Sequence, residues 1–85
     1  IGLDESEEGW EASMTLNWTR HRQVTRHILP GMQERRWGRI VNVTGPNEMT
    51  GLNSAGVAKV AVHAWSKGVS DLVAKEGITV NCVGP

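Results

Sequence analysis

The sequence predicts an α/β chain built on parallel strands, and three features predict it. Two short segments, "GRIVNVT" (Gly38–Thr44) and "ITVNCV" (Ile78–Val83), are apolar, rich in β-branched residues and edged by glycine. Between them, "SAGVAKVAVHAWSKG" has the spacing of an amphipathic helix. A strand, a helix and a strand in that order make a right-handed crossover onto a parallel neighbour. Both strands read as apolar on two faces, as in a doubly wound sheet covered by helices on each side. Two such strands do not make a stable sheet by themselves, so further strands are expected from sequence elsewhere or from other copies.

The first helix signal is Ser6, an N-cap ahead of Trp10, with Asp4, Glu5, Glu7 and Glu8 around it. Trp10, Met14, Trp18, His21, Thr25, Ile28 and Met32 follow as an apolar-leaning stripe. Acidic residues lead this helix and Arg20, Arg22, Arg26, Arg35 and Arg36 trail it, an order that complements the helix dipole. These arginines read as a solvated helix face rather than a binding surface. Pro30, in "LPGM", is expected to kink or restart the helix, because it lacks a donor and crowds the preceding turn. "PNEMTGLN" is a loop by composition. Ser54 is expected to cap the next helix, which runs to about Lys75 and ends at Gly77. Its apolar face is expected to be Val57, Val60, Ala61, Ala64, Trp65, Gly68, Leu72 and Val73. Lys59, His63, Ser66, Lys67 and Ser70 form the polar stripe opposite.

The totals exclude several classes of function. Eighty-five residues with 39% hydrophobic content allow one small domain. Nine Lys+Arg balance nine Asp+Glu, which argues against general affinity for nucleic acid or anionic membranes. No apolar stretch approaches the roughly 20 residues of a membrane span. A lone cysteine, Cys82, rules out an internal disulfide framework and fits a reducing, cytoplasmic setting. It reads as a buried, inert thiol. The Asn-x-Ser/Thr matches at Asn17 and Asn42 fall inside a helix and a strand and read as chance. His21, His27 and His63 lack a metal-binding spacing, so no metal site is expected. Trp10, Trp18, Trp37 and Trp65 read as core or interface anchors. The chain begins at Ile1 and stops within "NCVGP", and is expected to be a piece of a longer polypeptide.

Lys59 is the residue on which a functional reading turns. A lysine in line with other polar groups usually stands in water. Position favours another role, since ligands of open parallel sheets bind beyond the carboxyl ends of the strands. Lys59 lies in the first turns of a helix entered from that end, and helical side chains lean back toward the N-terminus.

Trp10, "LNW" with Asn17, "ILPGM", "GRIVNVTG", "AGVAKVAVHAWSK" and "GITVNCVGP" follow one another in an order and spacing that resemble the central segment of a short-chain dehydrogenase/reductase. The resemblance covers nearly all of the chain. It implies a partial Rossmann-like fold, a helix–strand–helix–strand segment lacking the N-terminal βαβ unit. It also implies a parent enzyme that moves hydride between NAD or NADP and a carbonyl or alcohol. The family's catalytic set is Asn, Ser, Tyr and Lys: the tyrosine is the general acid/base, the lysine lowers its pKa and holds the nicotinamide ribose, the serine positions the substrate oxygen, and the asparagine supports a relay water. Residue by residue, Asn17 matches the asparagine and Lys59 the lysine. Gly45 falls at the serine and Ala55 at the tyrosine.

The chain has no tyrosine at all. Thr44 and Ser54 neighbour the two altered positions, but an alcohol is far less acidic than a phenol. The family's glycine-rich pyrophosphate turn also has no counterpart here. The resemblance therefore implies that this chain alone binds no cofactor and is not catalytically competent, with Lys59 mostly in solvent. A second reading is a non-catalytic module that self-associates through the two long helices, where Ala61, Ala64 and Gly68 permit close approach.

Overall fold

The protein is described by a computed structural model over residues 5–44 and 52–84. Ser6 caps the first helix, its Oγ accepting from the Gly9 N–H at 3.0 Å, and α1 (Glu7–Met14) follows. Glu7 and Glu8 occupy its first turn, where the positive end of the helix dipole favours them. The helix then departs from the simple pattern. Thr15–Thr19 form a π turn, and α2 (Arg20–Arg35) continues from it. Periodicity gives little sign of a π turn, because it shifts an apolar stripe only part of the way round the helix.

Pro30 does not restart the helix; α2 passes through it to Arg35. That end of α2 is held from outside, by Leu29 and Met32 packing on the core. Met32 lies against Gly38 so closely that a Cβ there would sit 2.5 Å from its Sδ. Arg36, at φ 56°, ends the helix in the left-handed region.

Strands β1 (Gly38–Val43) and β2 (Ile78–Val83) pair in parallel, in a register running from Gly38 opposite Ile78 to Val43 opposite Val83. Thr44 adds one rung, its N–H donating to the Val83 carbonyl at 3.0 Å. Gly38, Ile40 and Asn42 of β1 and Ile78 and Val80 of β2 point inward and are buried. Arg39, Val41, Val43, Thr79, Asn81 and Val83 point the other way and are exposed. Helices cover one face of this sheet among the described residues, and the other face carries the exposed side chains. Val41 and Val43 match Ile40 in character; what separates them is the presence of a helix overhead. Cys82 is half-buried rather than enclosed.

Helix α3 (Ser54–Val73) is capped by Asn53, whose Oδ1 accepts from the Gly56 N–H at 2.7 Å. Ser54, the expected cap, is instead the first helical residue. A 3₁₀ turn (Ala74–Glu76) leads to Gly77 at φ 78°. A Cβ on Gly77 would fall 2.2 Å from the Arg36 carbonyl oxygen, so only glycine fits. The face that α3 buries is Ser54, Ala58, Val62, Ser66 and Val73. Of the apolar face expected from sequence only Val73 is fully buried; Leu72 is 74% exposed, and Ala64 and Gly68 are exposed as well. Ser66, assigned to the polar stripe, is 2% exposed. On a helix this rich in small residues the broadest apolar arc need not be the one that meets the sheet, and a serine with a partner enters the interior without penalty.

The core gathers Ile40, Val73, Ile78 and Val80, with Leu29, Met32 and Val69 packed against it. Fully burying an aliphatic side chain contributes about 1.5–3 kcal/mol, and Ile78 is 0% exposed. No described helix is long and apolar enough to cross a membrane.

Candidate functional site

Two contacts tie α3 to the strands and a third ties it to the segment ahead of α1. Val73 joins Ile40 and Ile78 in the core. Further up, Asn42 Nδ2 donates to Ser66 Oγ at 3.0 Å. At the top, Ser54 meets Glu5, just ahead of α1. The helix therefore runs antiparallel to β1, and Asn42 lies one residue short of the strand's carboxyl end. Lys59 precedes Ser66 by nearly two turns, about 10 Å along the axis at 1.5 Å per residue. That places it above the carboxyl ends of the strands. Lys59 is half-buried, which corrects the expectation that it lies mostly in solvent. Ala55, which the resemblance matched to the family's tyrosine, stands one turn above it and is half-buried. Gly45 lies outside the described residues.

Asn17 sits in the π turn. Its Nδ2 donates to the Ser13 carbonyl at 3.0 Å and approaches Ser13 Oγ at 3.3 Å. The amide nitrogen is thus committed to its own helix. Trp18, next in sequence, meets Trp65 edge-on at 5.7 Å, so the α1–α2 rod and α3 run side by side from the same end. Asn17 and Lys59 consequently share the upper part of the molecule, on neighbouring helices, without a hydrogen bond between them.

The hydroxyl at Ser54 is also committed. Ser54 Oγ donates to Glu5 Oε2 at 2.6 Å and its N–H donates to Oε1 at 3.0 Å, a two-point grip on one carboxylate. The Ser54 hydroxyl, and after it the Ser54 N–H, hold the Glu5 carboxyl below the usual glutamate range. With 1% exposure and its proton engaged, Ser54 is poorly placed to replace a missing acid. Thr44 is buried at 2% exposure. Sequence reasoning placed Glu5 only among the acidic residues leading the first helix and named Asn42 only as a chance glycosylation match; a polar residue at an inward strand position was the one available signal for Asn42.

The remaining candidates separate clearly. His21 Nδ1 lies 3.5 Å from Asn42 Oδ1, His27 is exposed, and His63 Nδ1 is buried without a partner. Among the described residues no group of three or more His, Cys, Asp or Glu could hold a metal. Trp37 is exposed rather than an anchor in this chain, with the Arg39 guanidinium 5.0 Å from its ring centre. A groove of about 400 Å³ runs between α2 and β1, lined by Leu16, Val24, Ile28 and Val41 among others.

A family model described as short chain dehydrogenase matches residues 3–85. The chain belongs to the short-chain dehydrogenase family. Acetoacetyl-CoA reductase of Cupriavidus necator is 35% identical over 79 residues, which is 89% of this chain and 32% of that protein. A 3-oxoacyl-acyl-carrier-protein reductase of Vibrio cholerae is 35% identical over 82 residues, 93% of this chain and 34% of that one. The crystal structure of a short-chain dehydrogenase from Streptomyces avermitilis superposes with a TM-score of 0.93 at 28% identity, covering 100% of this chain and 33% of the other. This short-chain dehydrogenase segment therefore spans about a third of the length of the relatives it matches. The parallel β1–β2 pair with α3 between them is the α/β, Rossmann-like arrangement the sequence predicted.

Proposed function

We propose that these 85 residues are the rim-bearing segment of an NAD(P)-dependent oxidoreductase that interconverts a carbonyl and an alcohol, and that the segment alone does not turn over. The observation that carries this reading is the half-buried Lys59 above the carboxyl ends of the strands. An ammonium with three donors there fits a ribose hydroxyl contact. The bound nicotinamide supplies the hydride. Nothing in this chain fits the pyrophosphate, since the glycine-rich turn is absent. The role of Asn17 is to organise water from the π turn, a backbone feature frequent at functional sites. Ala55 holds no proton, so the acid/base comes from a group outside the family's tyrosine position.

The test is calorimetric titration of NADH and NADPH into the longest polypeptide that contains this sequence. Binding is expected, weakened at least about tenfold by Lys59→Met, while the 85-residue chain alone shows none. Absence of binding by the intact longer protein, or binding indifferent to Lys59→Met, overturns the proposal.

One observation favours a second role for the segment as a subunit-contact module. Ala64 and Gly68 face outward, and a Cβ on Gly68 would meet nothing within 4 Å. Leu16 and Val24 on the neighbouring helical rod are exposed too. Sedimentation of the 85-residue chain at micromolar concentration should show a homo-oligomer; a well-folded monomer contradicts it.

A further inference from the structure

Asn42 occupies a position that the alternation of β1 reserves for an apolar side chain. Gly38, Ile40 and Asn42 form the inward row, and Ile40 joins the core while Asn42 does not. A buried amide without partners costs several kilocalories per mole, so its retention needs a compensating use. It has partners on both helices. Its Oδ1 faces His21 Nδ1 at 3.5 Å, and its Nδ2 donates to Ser66 Oγ at 3.0 Å. His21 belongs to α2 and Ser66 to α3, so one strand residue ties both helices at a single height. Asn42 Oδ1 can only accept, so a hydrogen bond at the His21 contact requires the proton on Nδ1, and Ser66 Oγ is the acceptor of the second bond.

We propose that Asn42 is a positioning residue for Lys59: by pinning Ser66 to β1 it sets how far α3 projects above the strand ends. The inference rests on the reading of Lys59 as the rim cation, and it concerns the height of the helix rather than any bound nucleotide. Apolar burial along α3, at Ala58, Val62 and Val73, holds the helix in place but sets its axial position less sharply, because apolar attraction carries little direction. A hydrogen bond to one oxygen on one turn sets that position more sharply. The Glu5–Ser54 contact joins α3 to the other helical rod, not to the sheet, and leaves this height unset.

The experiment is NMR on the 85-residue chain. In the wild-type chain, imidazole ¹⁵N shifts should report the Nδ1–H form of His21; the Nε2–H tautomer at neutral pH overturns the proposal. In Asn42→Leu, amide exchange at Ala58–Val62 should quicken by at least about tenfold relative to the change at Val69–Val73. Asn42→Asp, whose carboxylate can accept from both His21 and the rotatable Ser66 hydroxyl, should restore slow exchange at Ala58–Val62. Uniform quickening along all of α3, or no rescue by aspartate, marks Asn42 as merely structural and overturns the proposal. Because no nucleotide enters the measurement, its outcome is separate from the test of cofactor binding.

Discussion

The two ends of this molecule are held together by different forces. At the amino ends of the strands, Leu29, Met32, Ile40, Val73, Ile78 and Val80 exclude water and each other's voids. At the carboxyl ends the links are polar and specific: Glu5 to Ser54, Asn17 to Ser13, and His21 through Asn42 to Ser66. Apolar burial is strong and undirected; hydrogen bonds contribute about 1 kcal/mol each but fix positions. The strand-side cluster thus lies below, while above, where Lys59 and Ala55 lie, the specific polar links accompany the buried Ala58 and Val62.

That contrast can be broken first from the apolar end. Ile78→Ala removes a fully buried side chain and should cost about 2–5 kcal/mol. Urea unfolding followed by circular dichroism should show the midpoint fall sharply, with helix and sheet signals lost together. A cost within the range of a surface substitution would mean that this cluster does not carry the fold.

The polar end should respond more gently and with a pH signature. The Glu5 carboxyl titrates lower in the folded chain than in the unfolded one, so the folded state binds fewer protons. Its stabilising effect is fully present above the ordinary glutamate value of about 4.3 and is lost as pH falls through the lowered folded value. An NMR titration of the Ser54 amide should therefore inflect below that ordinary value, while Glu5→Gln should flatten the curve and leave Ile78 and Val80 unmoved. An inflection at or above the ordinary value removes the contact from solution.

Several elements were legible in the sequence because their signals are local. Ser6 and Gly77 mark a helix start and a strand approach by their own backbone chemistry, and β1 and β2 appear nearly residue for residue. Helix α3 misled because its small residues leave several arcs equally apolar, so Leu72 passed for core and Ser66 for surface. The site was legible through Lys59 and Ala55, which a resemblance can match one by one. It was not legible through Glu5, because its partner lies 49 residues away. Nor was the π turn under Asn17, since one widened turn barely disturbs a stripe.

The sequence by itself determined the order of helices and strands, the parallel crossover, the short-chain dehydrogenase family and the absence of any tyrosine. Each of these follows from neighbouring residues or from a pattern read in line. Only the tertiary structure decided which face of the sheet is covered, which arc of α3 is buried, and that the Ser54 hydroxyl serves a carboxylate. These choices depend on side chains far apart in sequence competing for the same space and the same protons, a contest that periodicity does not record.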